Sequence, residues 1–317
     1  MTPYLAPRWL PGGHAQTIYP LLIKLAASAY RRERWNTPDG DFIDLDWVDG
    51  SADAPLVVLF HGLEGSSHSH YATSLMHGAK QQGWGGVVVH FRGCSGEPNR
   101  LPRAYHSGDT AEADWILCRL RAGFPQRPIY AAGVSLGGNV LLKWLGEQGS
   151  AAATVITAAA SVCAPVDLAA CGFHLGRGFN RVYSQRFLYT MKRNTALKLA
   201  RFPGSVDKAR MLASRSLYEF DDAVTAPLHG FLGVEDYWRR ASSRPLLGGI
   251  GVPTLLLNTR NDPFMPASAL PGPNEVTRTV TIEQPEEGGH VGFVTGRLPG
   301  QLEWLPQRLL HYFRAGV

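Results

Sequence analysis

An α/β fold built on a mostly parallel, doubly wound sheet is predicted by three features of the sequence. Continuous apolar and β-branched runs recur at Leu56–Phe60, Gly86–Phe91 and Pro128–Ala132, the pattern of strands buried on both faces. Each run ends in a glycine-containing turn, and helical periodicity follows the second and third. Strands that alternate with helices return by crossover, which makes the sheet parallel. With 317 residues, 44% of them apolar and 18% charged, the chain can bury one large core with an insertion, and disorder is excluded as its ground state.

The elements follow in order. Arg34–Asn36 and Phe42–Val48 read as short strands around the turn Pro38-Asp39-Gly40. Leu56–Phe60 runs into His61-Gly62-Leu63-Glu64-Gly65, and Gly86–Phe91 into Arg92-Gly93-Cys94-Ser95-Gly96. A helix is expected from about Asp109, with Trp115, Ile116 and Leu120 on one side. Pro128–Ala132 leads through Gly133-Val-Ser135-Leu-Gly137 into a helix over Asn139–Glu147. Further strands are expected at Ala153–Ala159, Pro253–Asn258 and Val276–Glu283, with a closing helix around Trp304–Phe313. Residues 165–249 hold no buried strand run. They read as a helical cap inserted into a core made of residues 1–164 and 250–317, lying over the carboxyl edge of the sheet, where open α/β sheets place their ligands.

Charge sets that insertion apart. The chain carries 31 Lys and Arg against 26 Asp and Glu, yet between Arg177 and Arg215 there are ten basic residues and one acid, Asp207. The four cysteines, Cys94, Cys118, Cys163 and Cys171, form no CxxC pair and suit free thiols in a reducing compartment. Pro3, Pro7 and Pro11 interrupt the start, where no apolar secretory run is found, and Ile18–Ala29 is too short and too broken by Pro20 and Lys24 to span a bilayer. A cytoplasmic location is the expectation. No P-loop or dinucleotide glycine fingerprint is present, so neither a cofactor nor a nucleic-acid partner is expected.

The strongest chemical signal is Gly133-Val-Ser135-Leu-Gly137, a G-x-S-x-G between a buried strand and a helix. There the serine Oγ is thrust above the sheet, and the amides of the new helix face any oxyanion that develops beside it. A serine nucleophile needs a base, and the base needs a carboxylate to orient it, in the chain order Ser, Asp, His. Asp262 follows the strand Pro253–Asn258, and His290 stands on the glycine-flanked loop Glu287-Gly-Gly-His-Val-Gly292 after the next. Asp167 is the rival acid. Leu63, after the first long strand, and Leu136, after the serine, are the expected amide donors of an oxyanion hole; His61 is read as structural. His68 and His70 lack a third ligand, so no metal is expected.

Pro7-Arg-Trp9-Leu-Pro-Gly-Gly-His14-Ala-Gln16-Thr17, Phe60–Gly65, His90–Asn99, Tyr105–Asp109, Gly133–Asn139, Glu219–Asp222, Asn261–Met265 and Gly288–Phe293 together carry a resemblance that spans nearly the whole chain. The sequence resembles the YheT-like branch of the α/β-hydrolases, the AB-hydrolase-4 family. The resemblance implies a carboxylesterase-type serine hydrolase acting on short- to medium-chain acyl or lipid-like esters, with the triad on Ser135, Asp262 and His290. Two alternatives stand beside this reading: a thioesterase using the same triad, and a non-catalytic binding protein on the same fold. Phe179, Val182, Tyr183 and Phe187 recur at helical spacing among Arg181, Arg186, Lys192 and Arg193. The apolar side of this stretch is expected to pack on the core or line an acyl pocket. Its sharper reading is a transient contact with an anionic membrane surface.

Overall fold

The computed structural model describes residues 2–25 and 28–315; Ala26 and Ala27, inside the apolar stretch Ile18–Ala29, lie outside the described residues. Eight strands form one sheet: β1 (Arg31–Asn36), β2 (Phe42–Val48), β3 (Leu56–Phe60), β4 (Gly85–Val89), β5 (Ile129–Val134), β6 (Ala158–Val162), β7 (Thr254–Leu257) and β8 (Val280–Glu283). Their order is β1-β2-β4-β3-β5-β6-β7-β8. β2 pairs antiparallel with both β1 and β4, and every pair from β4 across to β8 is parallel.

At the centre of the sheet β3 is apolar and buried at every position because both its faces are covered. Val58 and Phe60 of β3 join a core with Ile116 and Leu120 of helix α3 (Thr110–Gly123) and Val140 and Trp144 of α4 (Leu136–Gln148). Val57 and Leu59 point the other way, onto Leu75 and Met76 of α2 (His70–Gln81) and Leu309 and Phe313 of α11 (Trp304–Ala315). Side chains alternating across the pleat thus feed two separate cores. Helix α1 (Gly13–Ile18) and a 3₁₀ turn, Tyr19–Leu22, lie ahead of the sheet in the chain.

Several strand boundaries differ from the reading of the sequence: β1 begins three residues before Arg34, β4 ends at Val89 and not at Phe91, and two later strands shift further. The strand expected at Ala153–Ala159 lies at Ala158–Val162, and Gly149–Thr154 is a 3₁₀ helix. The β-branched Thr154–Thr157 favours an earlier strand, but helices pack on both faces of β6, α4 on the side of Ala159 and α11 on that of Ala158 and Ala160, which favours small residues in the strand itself. Of Val276–Glu283, only the last four residues pair, because Pro273–Glu275 forms a 3₁₀ turn just before.

Between β6 and β7 the described chain is helical: α5 (Leu168–Leu175), α6 (Arg181–Arg201), α7 (Lys208–Ala213), α8 (Leu217–Phe220), α9 (Ala226–Leu228) and α10 (Val234–Ala241), with one π-turn at Asp221–Thr225. Asp167, Asp207 and Ser216 cap α5, α7 and α8 by accepting from backbone amides. Two small clusters hold these helices, one around Trp238 and Tyr237, the other around Phe220, Met211 and Leu188. Asn139 of α4 fastens the segment to the sheet layer. Its amide donates to Ser107 and Ala241 carbonyls at 2.8 Å, and its oxygen accepts from the Ser243 amide at 3.0 Å.

Candidate active site

Ser135 stands immediately after β5 with φ 52° and ψ −120°, a left-handed conformation that turns the chain sharply into α4. The flanking glycines make the turn fit. A Cβ on Gly133 would lie 2.5 Å from the Gly137 carbonyl oxygen, and one on Gly137 would lie 2.5 Å from that of His61, so larger residues would force the elbow apart. The strain at Ser135 is stored where its hydroxyl stands clear of the sheet.

The residues expected to cooperate with it meet there. His290 Nε2 lies 3.0 Å from Ser135 Oγ, and His290 Nδ1 lies 2.8 Å from Asp262 Oδ2. The other carboxylate oxygen of Asp262 accepts from the Phe264 amide at 2.7 Å, so this fully buried side chain has both oxygens engaged. Asp167 serves elsewhere: it caps α5 by accepting from Ala170 and lies 3.9 Å from Arg244. Cys163, Asp262 and His290 are the one group of described residues with metal-ligand spacing. Both ring nitrogens of His290 are committed to Ser135 and Asp262, so an ion could bind only by breaking that relay.

Two amides beside Ser135 Oγ are left open by a consistent pattern. The Gly62 N–H donates to the Tyr71 hydroxyl and the Glu64 N–H to the Tyr105 hydroxyl, leaving Leu63 N–H between them without an acceptor among the described residues. Ser135 N–H donates to Val162 and Gly137 N–H to His61, which leaves Leu136 N–H in the same condition. Such bracketed, unspent donors are what an oxyanion requires. His61, completely buried, accepts the Phe91 amide at Nε2 and donates from Nδ1 to the Gly62 carbonyl; burial lowers its pKa to about 3, so it is a neutral strut.

Several supporting residues were missed in the sequence. Thr17 Oγ1 accepts the His290 amide at 2.8 Å, while Gln16 bridges the Gly288 amide and Asn261, tying α1 to the histidine loop. Phe264 stacks on the His290 ring, with centroids 3.9 Å apart and planes 13° from parallel. Glu64, at φ 55°, accepts from the Tyr105 hydroxyl and from Asn194 of α6. Apart from Asn194, which has none, the only sequence signal for these is their presence in the strings that carry the family resemblance.

Two cavities meet at this point, sharing Leu63, Glu64, Ser135, Phe187, Phe264 and His290. The inner one, about 180 Å³, lies between the sheet and helices α5–α10 and is lined by groups such as Leu168, Leu175, Met191 and Trp238. The outer one, about 530 Å³, is lined by Ile18, Leu21, Ile23, Tyr183 and Arg186. The stretch Phe179–Phe187 therefore divides. Tyr183 and Phe187 turn inward against Phe264, whereas Phe179 and Val182 are more than half exposed.

Comparisons with known proteins agree with this architecture. A family model described as alpha/beta hydrolase fold matches residues 55–297. YheT of Escherichia coli, which carries the name of an esterase, is 43% identical over 93% of this chain and 88% of its own length. Human phospholipase ABHD3 is 30% identical over 98% of this chain and 78% of its own length. Among solved structures, the Pyrococcus furiosus esterase Pf2001 superposes with a TM-score of 0.58 at 16% identity, covering 90% of this chain and 92% of that one, a likeness of fold. The chain belongs to the alpha/beta-hydrolase fold family, in its YheT-like branch.

Proposed function

We propose that the protein hydrolyses carboxylic esters through an acyl-enzyme on Ser135, with His290 as general base and acid and Asp262 as the residue that orients it. The observation that carries this reading is the unbroken relay Ser135 Oγ, His290, Asp262 at 3.0 and 2.8 Å at the carboxyl edge of a parallel sheet. Ser135 Oγ attacks the ester carbonyl carbon as its proton passes to His290 Nε2. The Asp262 carboxylate holds the Nδ1–H tautomer and stabilises the imidazolium, and the Leu63 and Leu136 amides donate to the oxyanion. Collapse of the tetrahedral intermediate returns the proton from Nε2 to the leaving alcohol, and water repeats the sequence to release the acid.

Residues 165–249 act in this reading as a cap that roofs the inner cavity, which receives the acyl arm; the outer cavity receives the alcohol arm. The substrate class is short- to medium-chain or lipid-like esters. The relatives' names support it, ABHD3 being a phospholipase and a yeast relative, 28% identical over 76% of this chain, a medium-chain fatty acid ethyl ester synthase/esterase. Labelling with a fluorophosphonate probe tests the assignment. Stoichiometric labelling that vanishes in Ser135→Ala supports it, and no labelling of the folded wild type overturns it in favour of a binding protein. Turnover of matched p-nitrophenyl and acyl-CoA substrates separates ester from thioester preference.

A further inference from the structure

The outer cavity opens through a part of the surface that the triad does not account for. Among the described residues twelve large apolar side chains are conspicuously exposed, and five of them fall in two short stretches beside this opening: Ile18, Leu21 and Leu22 in one, Phe179 and Val182 in the other. Leu21 and Leu22 are each 70% exposed. The two stretches adjoin, because His14 of α1 lies 3.0 Å from the Tyr183 hydroxyl and its ring packs edge-on against Phe179 at 4.7 Å. Scattered exposed leucines need no explanation, whereas a cluster rimming a cavity that leads to a nucleophile does.

Charge identifies the occupant. No acidic residue occurs before Glu33, and none occurs from Leu168 through Val206, so both stretches lie within acid-free runs. The cations in them are of two kinds. Lys192 and Lys198 turn back to donate to the carbonyls of Leu212, Ser214 and Arg103, and Arg201 to that of Asn99, serving the internal structure. Lys24, Arg177, Arg181 and Arg186 are exposed and have no ion-pair partner among the described residues. Exposed aliphatic and aromatic side chains interleaved with unpaired cations, in runs of chain that carry no acidic residue, match the boundary of a negatively charged bilayer. The apolar groups enter the acyl region and the cations meet lipid phosphates.

We infer that the face formed by Tyr19–Leu22 and the first turns of α6 docks on an anionic lipid surface and presents the outer cavity to it. The inference extends the ester-hydrolase reading to substrates drawn from a lipid phase, and its binding step is independent of the chemistry. A membrane contact of the basic stretch thereby gains a partner in the N-terminal turn, and the contributing cations narrow to those the structure leaves unpaired.

The test is co-sedimentation of the full chain with vesicles of phosphatidylcholine alone and of phosphatidylcholine with phosphatidylglycerol, at low and high salt, alongside turnover of a soluble short-chain p-nitrophenyl ester. The expected result is sedimentation with the anionic vesicles that high salt reverses. In Arg177→Gln/Arg181→Gln, vesicle partition should weaken roughly 30-fold, at about a factor of five for each cation lost. Leu22→Asp/Val182→Asp should also abolish binding, and both double variants should turn over the soluble ester within about twofold of wild type. Recovery of the wild type in the supernatant under all conditions overturns the inference, as does binding that either double variant retains in full. Soluble-ester turnover that is absent while vesicle binding persists would instead sink the hydrolase reading and leave the docking surface standing.

Discussion

On the sheet side of the site, Ser135, Asp262 and His290 follow β5, β7 and β8, and each is held by backbone as well as by its neighbours: Ser135 N–H on Val162, Asp262 on the Phe264 amide, His290 N–H on Thr17. On the other side, α5–α10 rest on two small apolar clusters and reach the rest of the site through side chains, such as Asn194 on Glu64 of the loop after β3 and Tyr183 on His14 of α1. The difference separates fixed chemistry from an adaptable wall. Catalytic geometry must hold to a fraction of an ångström and is best built on strand ends, whereas a pocket wall can conform to its ligand, and here that side is built from helices outside the sheet. Changes on the sheet side should therefore alter kcat steeply, and changes in the helical wall should act gently or on stability alone.

The largest effects belong to the relay. Ser135→Ala and His290→Ala are each expected to lower kcat on an activated ester by roughly 10³-fold or more, and the double variant by little beyond either single one, because the two groups act as a unit. Additive losses would show that they act separately. Asp262→Asn should be nearly as slow with its fold intact, since it leaves the Nδ1 side of His290 without its carboxylate, while Asp167→Asn, far from the histidine in its hydrogen bonding, should stay within about twofold of wild type. Circular dichroism on both variants separates loss of catalysis from loss of fold.

A smaller effect is expected where the two sides touch. Glu64 adjoins the Leu63 amide and is gripped by Tyr105 and, across the interface, by Asn194; burial raises the Glu64 pKa, and these hydrogen bonds oppose that rise. Asn194→Ala removes one donor to a mostly buried carboxyl. It should lower kcat about fivefold through a looser oxyanion loop with KM little changed. If KM rose instead and kcat held, the contact would serve substrate binding and not the loop.

What could be read from the sequence divides along the same line. The elbow, the proposed acid and the proposed base each sit in a short contiguous stretch whose strand, glycine and loop are neighbours in the chain, so Gly133–Gly137, Asp262 and His290 carry their meaning locally. The grip of Gln16 on Asn261 spans 245 positions, and that of Asn194 on Glu64 spans 130, so no local pattern encodes them. The basic stretch Phe179–Phe187 suggested a single apolar face, and the structure divides it, because Phe264, from the loop after β7, draws Tyr183 and Phe187 inward. β6 was misplaced for a related reason. Its small side chains answer to α4 and α11, which pack on its two faces from distant parts of the chain.

The smallest effect tests the helical wall by itself. Asp221 lies buried in the π-turn, its oxygens accepting from Thr225 at 2.6 Å and from the Trp238 indole at 2.8 Å, with no ion-pair partner among the described residues. Burial raises its pKa to about 6 from the ordinary 3.8, and the two hydrogen bonds offset part of that rise. Between these values the folded chain keeps a proton that the unfolded chain has released, so this group makes stability fall as pH rises through that window, and its cost is complete above about 6. Asparagine can satisfy both neighbours, donating to Thr225 and accepting from Trp238, without carrying charge. Asp221→Asn should therefore melt roughly 3 °C above wild type at pH 7.5, with the gap closing toward pH 4, while kcat at neutral pH stays unchanged. A gap that did not depend on pH would mean that packing, not the buried charge, sets the difference. A fall in kcat would show that the helical wall and the relay are more tightly coupled than their separate cores imply.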